Sequence, residues 1–141
     1  MSVKQISAFV ENKPGQLAKF TDVLTQHGID MRALSLAETE DFGIVRVITD
    51  DSYKTACVLK EAGYIFSITP VIAVEIPDTP GGLNKVVHLL NDKGVNIEYT
   101  YAFISPVNRK AYIVLRIKDI DGAAEALKAK GIVLADEVNS I

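Results

Sequence analysis

The fold of this chain is decided by a short turn, Asn12-Lys13-Pro14-Gly15-Gln16-Leu17. Its pattern Pro-Gly-x-Leu returns 66 residues further on, in Asp78-Thr79-Pro80-Gly81-Gly82-Leu83. At the same offset, apolar and glycine positions on both sides of the turn match: Ile6 with Ile72, Leu24 with Leu90, and Gly28 with Gly94. Because these positions stay in register over the whole distance, they indicate an internal duplication.

Beyond these positions the offset grows to 68, where Asp51 matches Asp119 and Gly63 matches Gly131. The two extra residues fall within 105–110, a stretch that contains the Pro and Asn typical of a hairpin loop. Loops of this kind tolerate insertions. We therefore expect two domains, over residues 1–68 and 69–141, without a flexible linker between them.

Each copy shows the same alternation of strand and helix patterns. In the first copy the expected strands are 6–10, 31–38, 44–49 and 64–68, with helices after Pro14 and over 52–62. In the second copy they are 71–76, 97–104, 111–117 and 132–135, with helices after Pro80 and over 121–130. Apolar residues at helical spacing predict the core-facing stripes Leu17, Phe20, Leu24 and Leu83, Val86, Val87, Leu90. This order predicts the α+β class, as two ferredoxin-like βαββαβ units packed side by side with a shared antiparallel sheet.

The composition is that of a globular protein, since 48% of the 141 residues are apolar and 23% are charged. A net charge of −3 gives no electrostatic reason to expect a nucleic-acid partner. No apolar run reaches the roughly 18 residues of a membrane span, and the N-terminus lacks a signal-peptide pattern. We therefore expect no membrane partner and a cytoplasmic location. Cys57 falls inside a predicted helix and is expected to be a small core residue.

The sequence offers little for catalysis. Its two histidines, His27 and His88, do not correspond in the repeat. No metal-ligand spacing, nucleophile motif or phosphate-binding loop is present. The sequence therefore predicts a protein that is not an enzyme and that holds no metal and no cofactor.

The repeated turn itself has binding chemistry. It lies between a strand and a helix N-terminus, where the first N–H groups have no partner within the helix and the helix dipole is positive. Such a turn suits a small carboxylate, and its glycine lets a ligand approach the backbone. The alternative is purely structural: Asn12 and Asp78 cap their own helices, and the Pro-Gly pair only shapes the turn.

Each turn is followed by a second matching stretch, which is Gly28-Ile29-Asp30-Met31 in the first copy and Gly94-Val95-Asn96-Ile97 in the second. Together these stretches resemble two copies of the ACT domain, the small-molecule-binding regulatory module of amino-acid metabolism. The resemblance covers nearly the whole chain. It implies a non-catalytic sensor that binds a free amino acid where two ACT units meet, with a regulatory role in amino-acid metabolism. It also implies a homodimer.

In this family the turn before the first helix meets the backbone of the amino acid, and the start of the second strand contributes from the facing unit. The N–H groups of the turn would bind the carboxylate of the ligand, and Asn96, Asp78 or a backbone carbonyl would bind its ammonium group. Because the first turn carries Lys13 and the second carries Asp78, we expect the first to be the better site. The implied ligand-binding residues are Asn12, Lys13, Pro14, Gly15, Gln16, Leu17, Met31, Asp78, Gly81, Asn96, Ile97 and Glu98.

Two other functions compete with the sensor. The segment 6–31 also resembles the small subunit of acetohydroxyacid synthase, which implies a regulatory subunit that acts on a biosynthetic enzyme by protein–protein contact. The βαββαβ order also builds RNA-recognition motifs, and the alternating aromatic residues of the second copy are the only support for that function. These residues are Tyr99, Tyr101, Phe103 and Tyr112, and the basic pattern that RNA-recognition motifs require is missing.

Overall fold

A computed structural model of the protein describes residues 2–135 and 141. The chain divides into two compact units, one over Lys4–Thr69 and the other over Pro70–Ile141 together with Met1–Val3. Within the described residues, the first unit contains β1 (Val3–Glu11), α1 (Gln16–Gln26), β2 (Met31–Glu38), β3 (Phe42–Thr49), α2 (Ser52–Glu61) and the start of β4 (Phe66–Ile76). The second unit contains the rest of β4, α3 (Gly82–Asp92), β5 (Tyr99–Ile104), β6 (Ala111–Arg116) and α4 (Ile120–Lys128).

The strands of each unit pair in an antiparallel sheet. In the first unit the order is β2-β3-β1, and Ile6 lies opposite Val47. In the second unit the order is β4-β6-β5, and Ile72 lies opposite Leu115. Four helices accompany these strands in the described part of the chain, so the predicted α+β class with two ferredoxin-like units is confirmed.

Both units bury one side of their helices against the sheet. In the first unit Phe20 and Leu24 of α1 pack on inward-facing strand residues such as Val45 and Val47. In the second unit Val86 and Leu90 of α3 take the same positions. Burial of these large apolar side chains is the main source of stability in such a unit.

The ends of the helices follow the sequence signals. Gly28 and Gly94 adopt the left-handed conformation just after α1 and α3. The next N–H in each copy then donates back to the helix, from Ile29 to Leu24 and from Val95 to Leu90, which satisfies a terminal carbonyl.

The structure corrects three expectations. The predicted strand 132–135 is reduced to a single antiparallel bridge between Leu134 and Val74, beside which the N–H of Ala135 donates to the Ala73 carbonyl at 2.9 Å. Leu83 and Val87 are 41% and 36% exposed, although both were expected in the core. The buried line of α3 runs through every fourth residue from Gly82, and Leu83 and Val87 lie one residue, about 100°, away from it. Cys57 is exposed, because α2 buries Thr55, Val58 and Leu59 on its other face.

Candidate functional site

The first turn leaves backbone donors available at the start of α1. Gly15 has a φ of 86°, a left-handed conformation that favours glycine, and it precedes the helix directly. The N–H of Gln16 donates to the Lys13 carbonyl at 3.3 Å, so this predicted ligand donor is already engaged. Of the residues that the structure describes, none accepts a hydrogen bond from the N–H groups of Leu17 and Ala18. These two amides, at the positive end of the helix dipole, can receive an anion.

Asn12 does not cap α1, so the structural alternative is wrong for this residue. Its side-chain nitrogen Nδ2 donates to the carbonyl of Thr39 at 3.0 Å and to that of Glu40 at 3.4 Å. Its own N–H donates to the Asp41 carbonyl at 3.0 Å. Asn12 therefore ties the first turn to the turn between β2 and β3. Because Nδ2 is committed, the acceptor oxygen Oδ1 has a fixed position beside the turn.

Lys13 is paired with Glu11 at the surface, with 2.7 Å between Nζ and Oε2. The hydrogen bond from Lys13 and its positive charge lower the pKa of Glu11 below its ordinary value. The same hydrogen bond and charge from Glu11 raise the pKa of Lys13. The first turn is therefore nearly neutral rather than cationic, which reduces the expected charge advantage over the second turn.

The second turn repeats the backbone of the first. Gly81 has a φ of 88°, and the N–H of Gly82 donates to the Thr79 carbonyl at 3.1 Å. Leu83 and Asn84 offer the two N–H groups without an acceptor in the described part of the chain. The side chains differ, however, because Pro77 stands where the first turn has Glu11, and the exposed Asp78 does not cap α3.

The predicted contributions from the second strands lie far from the turns. Met31 begins β2, whereas the first turn follows the other end of the sheet, where Glu38 pairs with Gly43. Asn96, Ile97 and Glu98 lie just before β5 in the second unit, beside Arg116, whereas Asp78 and Gly81 follow Ile76, which pairs with Ala111. A strand of six residues spans about 17 Å, so neither unit alone brings the two halves of the predicted site together.

Two of these residues also have contacts within their own unit. Ile97 packs against the core of the second unit. Glu98 forms an ion pair with Arg116, with 3.3 Å between Oε2 and Nε. Their backbone groups and Asn96 remain the parts of this segment that a ligand could reach.

The sequence reasoning missed a cleft of about 500 Å³ in the second unit, bounded by the second turn, the β5–β6 loop and the residues after α4. Its four cationic residues come from three separate segments of the chain, so no local motif reveals them; they are Lys85 on α3, Arg109 and Lys110 in the β5–β6 loop, and Lys130 after α4. One difference between the copies could have indicated the cleft: Lys130 stands where the first copy has Ala62, so a cation replaces a small apolar residue.

Other kinds of site find no support in the described part of the chain. Residues 2–135 and 141 contain no group of three His, Cys, Asp or Glu side chains placed to hold a metal ion. None of the helices within these ranges has the length and apolar character needed to cross a membrane.

Comparison with known families gives a direct match. The family model for the ACT domain pair matches residues 1–140. The chain belongs to this family. This match confirms the resemblance found in the two turns. ACT domains are regulatory, non-catalytic modules. No curated protein matches the sequence.

Solved structures agree with the ACT domain pair. Protein BT0572 from Bacteroides thetaiotaomicron is 41% identical, with a TM-score of 0.88 over 96% of this chain and 92% of that chain. The ligand-free regulatory subunit of aspartate kinase from Thermus thermophilus is 16% identical, with a TM-score of 0.62 over 89% of this chain and 90% of that chain. E. coli aspartokinase III in complex with lysine and aspartate is 16% identical, with a TM-score of 0.58 over 92% of this chain and 31% of that chain. The last two are similar in fold.

Proposed function

We propose that this ACT domain pair is a non-catalytic sensor that binds a free amino acid against the first turn, at an interface between ACT units. The observation that carries the proposal is the pairing of two available amides, at Leu17 and Ala18, with the fixed Oδ1 atom of Asn12. An amino acid needs donors for its carboxylate and an acceptor for its ammonium group. The first turn offers both within one loop.

The proposed binding mode follows from charge and hydrogen bonding. The carboxylate accepts from the N–H groups of Leu17 and Ala18, and hydrogen bonds to a charged group of this kind contribute about 1.5–3 kcal/mol each. The ammonium group donates to Oδ1 of Asn12. Met31 and the segment 96–98, each at the far end of its own unit, are proposed to meet the ligand from a facing ACT unit.

The second turn is proposed to bind an amino acid weakly or not at all. It has the same free amides, but the carboxylate of Asp78 replaces the neutral Asn12 amide and repels an anion. Among the described residues, Asp78 is the one charged residue that lines the pocket beside the amides of Leu83 and Asn84. In the first turn, by contrast, Lys13 balances Glu11.

A homodimer is also part of this proposal: each chain contains two ACT units, and a second copy of the chain would supply further facing units. Sedimentation equilibrium with and without ligand tests it. A dimer whose association strengthens when ligand is added is expected, and a strict monomer at all concentrations would contradict it.

Thermal-shift measurements with each of the twenty amino acids test the proposed function. A specific ligand at a hundredfold excess over its Kd stabilises the folded chain by about 2.7 kcal/mol, which raises the melting temperature. Titration calorimetry on exchange variants then locates the site. Lys13→Thr leaves Glu11 unbalanced and is expected to weaken binding about tenfold. Its matched control Thr79→Lys is expected to leave that affinity unchanged, and equal losses from both variants would contradict the assignment.

A regulatory subunit is the second candidate function, with a biosynthetic enzyme such as an acetohydroxyacid synthase-like partner. The observation in its favour is the exposed apolar pair Leu83 and Val87 on α3, beside the second turn. A flat amino-acid screen, together with co-purification of an enzyme that is lost in Leu83→Asp, would favour this function over the sensor.

A further inference from the structure

The cleft of the second unit has a charged rim and an apolar floor. Its volume, about 500 Å³, lies within the range of small-molecule sites. Its lining residues include Asp78, Lys85, Val86, Arg109, Lys130 and Ile132. All of them belong to one compact unit, so the cleft does not depend on a second unit or a second copy.

The charge of the rim is positive in an otherwise acidic chain. Lys110 is paired with Glu75, at 2.9 Å between Nζ and Oε1, and this contact raises the pKa of Lys110. Lys85, Arg109 and Lys130 have no ion-pair partner among the described residues, and Asp78 is the one carboxylate of the lining that remains opposite them. Among the described residues, the lining therefore carries four cations and two carboxylates, a surplus of two positive charges, although the net charge of the chain is −3.

Smaller side chains occupy the matching positions of the second unit. In the first unit Phe20 and Tyr64 pack edge to face, with ring centroids 5.4 Å apart. The corresponding residues in the second unit are Val86 and Ile132, both of which line the cleft. The link that Asn12 makes in the first unit has no counterpart from Asp78 to the β5–β6 loop in the described hydrogen bonds. The two units thus differ at these positions, since two aromatic rings pack together in the first and two aliphatic side chains line an open cleft in the second.

The β5–β6 loop fixes the position of Arg109. Arg109 has a φ of 59°, and within the described residues every other positive φ belongs to a glycine. Its N–H donates to the Ser105 carbonyl at 2.9 Å, and the N–H of Lys110 donates to Oδ1 of Asn108 at 2.9 Å. Since a non-glycine residue in this conformation carries a steric cost, the loop holds it by these bonds.

We propose that this cleft is a separate binding site for a small organic dianion, either a phosphate monoester or a dicarboxylate. The charged groups of the ligand lie among Lys85, Arg109 and Lys130, and the uncharged part of the ligand packs on Val86 and Ile132. Arg and Lys are the residues that recognise phosphate and carboxylate groups. This site is distinct from the amino-acid site at the first turn and does not rest on it.

Titration calorimetry with the full chain tests this site, with four probes: adenosine monophosphate, inorganic phosphate, succinate and adenosine. We expect adenosine monophosphate or succinate to bind, adenosine not to bind, and the affinity to fall as salt screens the charges. Binding of the nucleotide alone identifies a phosphate-ester site, and binding of succinate alone identifies a dicarboxylate site. Failure of both to bind, or equal binding of adenosine, would overturn the proposal.

Charge variants of the rim sharpen the test. Lys85→Glu is expected to weaken binding of the dianion at least about tenfold, and Asp78→Asn to strengthen it about threefold, because each changes the charge that the ligand meets. The matched control is Lys19→Glu, which makes the same change at the corresponding position of the first unit and is expected to have no effect. Equal losses of dianion affinity in Lys19→Glu and Lys85→Glu would show that the effect comes from the net charge of the chain alone, and would overturn the proposal.

Two further measurements keep the outcome interpretable. Lys130→Glu, on a separate segment, is expected to weaken dianion binding as Lys85→Glu does, so a folding defect in one variant does not decide the result. Any amino acid that stabilises the wild-type chain in the thermal-shift screen is expected to stabilise Lys85→Glu equally. Loss of dianion binding with amino-acid binding retained supports two separate sites, whereas parallel loss of both contradicts them.

Discussion

In the first unit Asn12 ties the Pro-Gly turn to the neighbouring β2–β3 turn, and the rings of Phe20 and Tyr64 pack nearby. In the second unit the same turn carries Asp78, and the smaller Val86 and Ile132 border an open cleft with a cationic rim. The left-handed glycine and the two available helix amides are common to both. Duplication therefore kept what the backbone requires, while the side chains around the turn diverged in size and charge.

The largest expected difference between the units concerns the core beneath the turn. Phe20 is fully buried, so Phe20→Ala is expected to lower the free energy of unfolding by about 3–5 kcal/mol. Val86→Ala removes fewer atoms at the matching position, beside a cleft that already exists, and is expected to cost clearly less. Urea denaturation of both variants gives the comparison, and equal losses would contradict the difference in packing.

A second difference concerns the residue after the turn glycine. A Cβ atom at Gly82 would lie 2.5 Å from the backbone carbonyl oxygen of Pro77, so Gly82→Ala is expected to cost about 1–3 kcal/mol of unfolding free energy through overpacking. The matched variant Gln16→Ala replaces a half-buried side chain and is expected to change stability by no more than about 0.5 kcal/mol. Thermal and urea unfolding of the two variants measures this, and a neutral Gly82→Ala would mean that the close approach is absent.

The smallest expected effect is electrostatic and belongs to the first turn alone. The pKa of Glu11 lies below its ordinary value because Lys13 donates a hydrogen bond to it, so Lys13→Thr is expected to return it upward. With the folded pKa depressed, the stabilising contribution of this pair is present above the ordinary pKa and is lost as the pH falls through the folded value. An NMR titration of the Glu11 carboxyl in both proteins checks the direction. An unchanged pKa in the variant would show that the ion pair does not persist in solution.

Much of the fold could be predicted from the sequence, because its signals are local. The repeated glycines mark helix ends, and the apolar spacing of Phe20 and Leu24 marks the buried face of α1. The exposure of Leu83 was missed because the buried face of α3, through Gly82, Val86 and Leu90, depends on how the helix packs in the core, and apolar spacing alone does not separate the two faces. The strand predicted over 132–135 is reduced to one bridge with β4, because the apolar pattern indicates burial but not how many residues pair with a neighbouring strand.

Less of the binding chemistry could be predicted. The sequence identified the turn amides, since the start of a helix always leaves N–H groups without partners. It could not reveal that Asn12 reaches across to the β2–β3 turn, nor that Glu11 neutralises Lys13, because both depend on side-chain geometry. The cleft was invisible for the same reason, as Lys85, Arg109 and Lys130 meet only in the folded unit.

Whether the two turns differ in binding can be read directly from amide chemical shifts. The chain, labelled with ¹⁵N, would be titrated with the amino acid that stabilises it most in the thermal-shift screen. The difference between the units predicts large, saturable shifts at the amides of Gly15, Leu17 and Ala18, with little change at Gly81, Leu83 and Asn84. Equal shifts at both turns, or shifts confined to the second, would contradict the conclusion that the fold is repeated while the binding chemistry is not.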